Sequence, residues 1–216
     1  MAPNDEATLN ALTEFEAASG GTLRFDGRTT EGWRGFKKDR CPDGWQVVEG
    51  TLHRAAEAGD IITEALYRNF ILELEWKSTA GGTSGIFFRV SEDEDAVWKT
   101  GPEMQILNND VHRDGQKPLT RAGANYALHA PIKEVCNPAG EWNRVRILVV
   151  ENYVELWLNG ERVVRYELFS EDWERRVAES KFADMPNYGR MSKGHIALQD
   201  HNDPVWFRNI KLRPLD

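Results

Sequence analysis

From Phe70 to Lys77 the chain alternates without a break: Leu72, Leu74 and Trp76 fall on one side, Glu73, Glu75 and Lys77 on the other. A period of two marks a strand with one buried face. Short runs of this kind recur to the C-terminus, each bounded by turn residues. Trp45–Val48 and Thr51–His53 flank Glu49-Gly50, Trp142–Val150 and Tyr153–Leu158 flank Glu151-Asn152, and Asn159-Gly160 precedes Arg162–Tyr166. Such pairs predict hairpins. Leu23–Phe25, Gly85–Val90, Glu103–Leu107, Ile196–Gln199 and Trp206–Leu212 complete the set of strands. Two segments carry helical signals: 7–19, closed by Gly20-Gly21, and 170–182, with Ser170 or Asp172 available as a cap. Many short strands at this spacing predict an all-β sandwich or jelly roll. A chain of 216 residues, 40% of them hydrophobic, can build one sizeable core. We expect one domain over 21–216, after a helical extension at 1–20.

Charge narrows the partners. The net charge is −8, and no basic run interleaved with aromatics appears, which argues against nucleic acid. An acidic surface gives no reason to expect anionic lipid, and no apolar run approaches membrane-span length. The first residues lack a basic region followed by an apolar stretch, so no export signal is visible. Periplasmic or exported placement would require a removed signal; otherwise the compartment is cytoplasmic. Cys41 and Cys136 make neither a zinc spacing nor a disulfide framework, and two ordinary thiols are expected, with a single disulfide as the alternative. Gly82-Thr83-Ser84-Gly85 has the wrong spacing for a phosphate loop or a nucleophile elbow, and no nucleotide cofactor is expected.

The polar sides of the central strands are the candidate site. They offer Glu73, Glu75 and Lys77, then Arg89, then Glu103 and Gln105, then His195, Gln199 and His201. A solvated outer sheet face would give the same pattern. Two features favour a cleft. Gln, His and Arg orient ligands, whereas a plain solvent face is rich in Lys, Glu and Thr. Residues 108–130 also form a long loop with little apolar periodicity, holding Asn109, His112, Asp114, Tyr126 and His129. The eight tryptophans, Trp98 among them, supply core mass and rings able to stack on sugar faces. Glu73 with Glu75, or either with Glu103, could form a carboxylate pair for glycoside hydrolysis, though any amphipathic strand offers such a pair. Asp203 follows His201 at a spacing that could orient an imidazole or bind a metal.

Several segments carry a resemblance to a known bacterial family. They are LRFDGRTTEGWRGF (23–36), GWQVVEGTL (44–52), GDIIT (59–63), FILELEWKSTAGGTSGIFFRV (70–90), WKTGPEMQILNN (98–109), HRDG (112–115), AGEWNRVRI (139–147), VELWLNGERVVRYEL (154–168) and KGHIALQDHNDPVWFRNIKLRPL (193–215). In this order they resemble the domain of unknown function 1080 family, described as 3-keto-disaccharide (3-keto-glycoside) hydrolases. The resemblance implies a concanavalin A-like jelly roll whose concave face binds sugar. The Glu-x-Asp-x-x-Glu strand of retaining jelly-roll glucanases is absent, and the corresponding strand is Glu-Leu-Glu-Trp-Lys.

The resemblance further implies cleavage of a sugar already oxidised at C3. The ketone acidifies the hydrogen on C2, a base removes it, the C1–O bond breaks by β-elimination, and water can add back. That chemistry needs a base near C2, a group for the developing oxyanion and an acid for the leaving oxygen. On this reading His201 or Glu103 is the base, with Asp203 orienting the imidazole, and His112 is a second acid/base group. Arg89, Lys77 or a divalent metal ion on Glu103, His201 and Asp203 would meet the oxyanion. Glu75, Gln105 and Gln199 would fix hydroxyls, with Trp98, Asn109 and Tyr126 lining the sugar. A non-catalytic carbohydrate-binding module is the alternative, because the same fold serves both purposes.

Overall fold

The computed structural model describes residues 9–216. Two antiparallel sheets pack face to face, as expected of a jelly-roll sandwich. The larger sheet holds β1 (Thr22–Leu23), β3 (Trp45–Val48), β4 (Thr51–Arg54), β6 (Phe70–Ser78), β9 (Asn143–Val150), β10 (Tyr153–Leu158), β11 (Glu161–Glu167) and β13 (Val205–Pro214). Its order is β11-β10-β9-β6-β13-β4-β3, with β1 also paired to β13. The smaller sheet holds β2 (Trp33–Gly35), β5 (Ile61–Thr63), β7 (Thr83–Val90), β8 (Glu103–Leu107) and β12 (His195–Leu198), in the order β2-β5-β12-β7-β8.

Alternation explains the core between them. Leu72, Leu74 and Trp76 of β6 meet Ile86 and Phe88 of β7, Met104 and Ile106 of β8, and Ile196 and Leu198 of β12. Each fully buried side chain of this kind contributes about 1.5–3 kcal/mol by leaving water. The hairpins form where the turn residues predict them. Glu49 and Gly50 both take positive φ, at 48° and 71°, as do Asn159 and Gly160 at 50° and 86°. Such pairs match the twist of the flanking strands.

Both helices are shorter than the sequence signals. α1 covers Glu14–Ala18, opened by a capping box between Thr13 and Glu16. It starts late because Asn10, at φ 53°, trades hydrogen bonds with Asn209 on β13: each backbone N–H donates to the other's side-chain oxygen, at 2.7 and 2.8 Å. Residues 7 and 8 of the expected helix lie outside the described residues. α2 covers Glu171–Ala178, capped by Ser170, and it buries Trp173 and Val177. Beyond it Phe182 enters the core from irregular backbone. No helix among the described residues is long and apolar enough to cross a membrane.

Candidate active site

The outward face of the smaller sheet is built by register. One row runs Glu103 (β8), Phe87 (β7), Ala197 (β12), Ile62 (β5) and Arg34 (β2). The neighbouring row pairs Gln105 with Gly85, and Gln199 lies beside Gly85 through its N–H bond to the Gly85 carbonyl at 3.0 Å. Continuing the β5–β12 register past Leu198 and Ile61 sets Asp60 opposite Gln199. The floor is therefore apolar or bare in its middle and carries polar groups at both ends. Phe36 and Trp98 pack onto Phe87, Ala197 and Ile62 and close one side.

Glu103 is the most unusual group on this face. It is buried, and among the described residues its carboxyl makes no hydrogen bond and no ion pair. It lies over Gly85: a Cβ at that position would stand 2.4 Å from Glu103 Oε1. Burial pushes its carboxyl up to about 8, Asp60 adds to the rise, and the Lys181 ammonium opposes it. Behind it, the Tyr126 N–H donates to the Glu103 carbonyl at 3.0 Å, and Lys181 Nζ sits 4.3 Å from the centre of the Tyr126 ring. Gln105 is buried beside it, with Oε1 lacking any hydrogen-bond partner among the described residues. Across the floor, burial and the Asp200 carboxylate raise Asp60 to about 6, against the pull of the Asp200 amide and His201. Strands lie about 4.8 Å apart, so β8 and the start of β5 are about 14 Å apart across β7 and β12. The lean of Glu103 over Gly85, one strand nearer, narrows this to roughly 10 Å.

The residues expected to share one face are divided between two sheets. Glu103, Gln105 and Gln199 stand on the smaller sheet, with Trp98 and Tyr126 at its margins. His195 is on the same face at the far end, its Nδ1 2.6 Å from the Thr63 carbonyl; burial lowers its pKa. Glu75 and Lys77 project from β6, on the outer face of the larger sheet. Glu75 accepts from Arg144 at 3.1 Å and Arg208 at 2.7 Å, and Lys77 lies between the Trp142 and Trp206 rings at 5.1 and 5.2 Å. Alternation states which side of a strand a residue takes, but not which sheet the strand joins. Arg89 departs for another reason. β7 and β12 lose register between His195–Val90 and Ala197–Phe87, and Arg89 takes φ 53°. This bulge re-aims the side chain, so that Nη2 donates to the Arg68 and Glu151 carbonyls.

The long loop is braced by its own polar groups. Asn109 Oδ1 accepts the Ala122 N–H at 2.9 Å, and His112 Nδ1 accepts the Asp114 N–H at 3.1 Å, capping a short helical turn over Arg113–Gln116. Asp203 accepts the Thr83 N–H at 3.2 Å, so it does not orient the exposed His201. No three His, Cys, Asp or Glu side chains among the described residues are grouped to hold a metal ion. Glu103, His201 and Asp203 thus do not fit as a ligand trio.

Comparison with known proteins decides the family. The model of the 3-keto-alpha-glucoside-1,2-lyase-like domain matches residues 20–213. The chain belongs to this family. A curated relative from Bacteroides thetaiotaomicron, named 3-keto-disaccharide hydrolase, is 35% identical over 97% of this chain and 83% of its own length. A crystal structure assigned to a candidate glycosyl hydrolase of Parabacteroides distasonis is 37% identical, with a TM-score of 0.90, covering 96% of this chain and 100% of that one. A second structure from that organism, also assigned to a candidate glycosyl hydrolase, is 25% identical with a TM-score of 0.67, covering 85% of this chain and 99% of that one.

Within this 3-keto-alpha-glucoside-1,2-lyase-like domain, three groups at the site escaped the sequence pattern. Asp60 precedes a three-residue strand, too short to show alternation. Lys181 follows α2 in irregular backbone. Gly85 has no side chain to mark a site, although a glycine inside a strand signals close approach by another group.

Proposed function

We propose that this protein cleaves 3-keto-glycosides by removing the proton on C2 and eliminating the C1 substituent, after which water adds back. Family membership supports the substrate class. The observation that carries the chemistry is Glu103: a buried carboxyl with no hydrogen bond or ion pair among the described residues, raised to about 8 and laid across a bare glycine. Such a group keeps its proton at neutral pH and can give it up to a leaving oxygen. Glu103 is thus the general acid of this reading rather than its base. The buried Gln105 Oε1 would accept from a sugar hydroxyl. The Gln199 amide would donate to the C3 oxygen as charge develops there. Trp98 and Phe36 would receive the apolar face of the sugar ring.

The test offers the enzyme a 3-keto-glucoside and, separately, its unoxidised parent, and follows release of the aglycone with and without a chelator. Release from the keto compound alone is expected. Release from the parent would replace elimination with ordinary hydrolysis by two carboxylates. Binding without release from either would make the protein a carbohydrate-binding module. The chelator arm reports whether a metal ion takes part.

A further inference from the structure

Asp60 stands where the β5–β12 register faces Gln199, and alternation turns its side chain toward the same side as Ile62. One carboxylate oxygen is fixed. Oδ1 accepts the Asp200 N–H at 2.9 Å, and Oδ2 makes no hydrogen bond among the described residues. The turn that carries Asp60 is pinned from behind. Asp200 Oδ2 accepts the Ala58 and Gly59 N–H groups at 2.7 and 2.9 Å, and its Oδ1 accepts Arg54 Nε at 2.6 Å. Lys38 Nζ holds the same turn through the Ala58 carbonyl at 2.8 Å. Asp200 has both oxygens engaged and a side chain only 3% exposed, so it cannot reach a substrate itself.

We propose that Asp60 is the general base that takes the C2 proton, with Asp200 as its positioning residue. This rests on the reading of the site as a 3-keto-glycoside eliminase. The Asp60 carboxylate accepts the proton and becomes a carboxylic acid, and the C2–H electron pair passes into the enolate. That pair then forms the C1–C2 double bond as the C1–O bond breaks. The leaving oxygen takes the Glu103 proton, and Glu103 becomes a carboxylate. Hydration runs back through the same groups: Glu103 takes a proton from water as its oxygen bonds C1, and Asp60 returns the proton to C2. No oxidant or reductant is consumed.

The alternative base, His201, is exposed and makes no hydrogen bond among the described residues. The charged groups around Asp60 are Asp200, Arg54, Lys38, His201 and, across the floor, Glu103. Their balance and burial hold Asp60 near 6 while Glu103 stands near 8. At neutral pH the first is ionised and the second protonated, as a base and an acid must be.

The experiment uses a 3-keto C-glycoside, whose C1 substituent cannot leave, in deuterated water. Enolisation then appears as deuterium at C2, read by NMR. Wild-type protein should exchange this position, with a rate that rises with pH through about 6. Asp60→Asn keeps an acceptor for the Asp200 amide, so it should fold and bind the analogue within about threefold of wild type. It should lose exchange by roughly a hundredfold or more, and lose the acid limb. Glu103→Gln should keep exchange yet fail to release aglycone from an O-glycoside. In Asp60→Ala, added formate should restore exchange. Wild-type exchange with an unimpaired Asp60→Asn overturns the assignment and leaves the elimination reading standing. Loss of exchange that only tracks lost affinity, with no rescue by formate, overturns it as well. Wild-type protein that neither exchanges nor cleaves overturns the elimination reading itself.

Discussion

Glu75 on β6 and Glu103 on β8 both sit on alternating strands and are 4% and 6% exposed, yet their surroundings are opposite. Glu75 stands on a central strand, between Arg208 of β13 and Arg144 of β9, and both guanidiniums bond it. Glu103 stands near a sheet edge, where its cross-strand partner is Phe87 and the residue beneath it is Gly85. One carboxylate is neutralised by its neighbours. The other is buried with no hydrogen bond or ion pair among the described residues, burial outweighs the Lys181 ammonium, and its proton stays on as a result. The pattern Glu-x-Glu and the pattern Glu-x-Gln look alike in one dimension. What separates a paired carboxylate from one that keeps its proton is the residue on the next strand.

Replacing Glu103 should give the largest effect and separates activity from stability. Glu103→Gln is expected to lower turnover of a 3-keto-glycoside by a hundredfold or more, and to remove the alkaline limb near pH 8 from the rate profile. Stability should move the other way. The carboxyl rises from 4.5 to about 8 on folding, so the folded chain holds a proton that the unfolded chain has released between those values. Wild-type stability therefore falls as pH climbs through this window and levels off above it. The variant lacks this loss. Thermal unfolding of the two proteins should diverge from pH 5 to 8 in favour of Glu103→Gln. A constant difference across that range would place Glu103 among ordinary exposed carboxylates.

Gly85→Ala tests the same contrast without replacing a polar group. The added methyl would meet the end of a flexible side chain, at 2.4 Å from Oε1, rather than fixed backbone. Alanine also costs less than glycine in a strand interior. The fold should hold within about 1 kcal/mol, while the displaced carboxyl costs roughly ten- to a hundredfold in kcat, since an error near 1 Å has that effect in an active site. Full activity in Gly85→Ala would mean that the acid works from another position.

The sandwich was legible because turns and alternation are local signals. Residues at Glu49-Gly50 and Asn159-Gly160 announce their hairpins, and Leu72, Leu74 and Trp76 announce a buried face. Glu103, Gln105 and Gln199 were legible as members of a polar face for the same reason. Sheet membership is not local. Nothing within Phe70–Lys77 says that β6 pairs with β9 and β13 rather than with β7, so Glu75 and Lys77 joined the wrong group. The bulge at Arg89 is set by a mismatch with a strand about a hundred residues away, at His195–Ala197. Asp60 reaches the floor through a turn held by Asp200, whose partners are 140 to 146 positions distant in the chain.

The smallest effect should come from the larger sheet, and it completes the comparison. Glu75→Ala removes the acceptor of both Arg144 and Arg208, which are 38% and 22% exposed and so partly keep their water. The loss should be about 1–2 kcal/mol, less than for a fully buried pair. It should lower the unfolding temperature and leave kcat/KM for a 3-keto-glycoside unchanged. Restoring neutrality by adding Arg208→Met should recover part of the stability, because the uncompensated cation then leaves with the anion. A drop in kcat/KM from Glu75→Ala at full fold would tie the two outer faces together, through the core of Trp76 and Ile86 that lies between them. Unchanged turnover would leave Glu75 as the structural counterpart of Glu103: the same carboxylate, held by two arginines and on the opposite sheet.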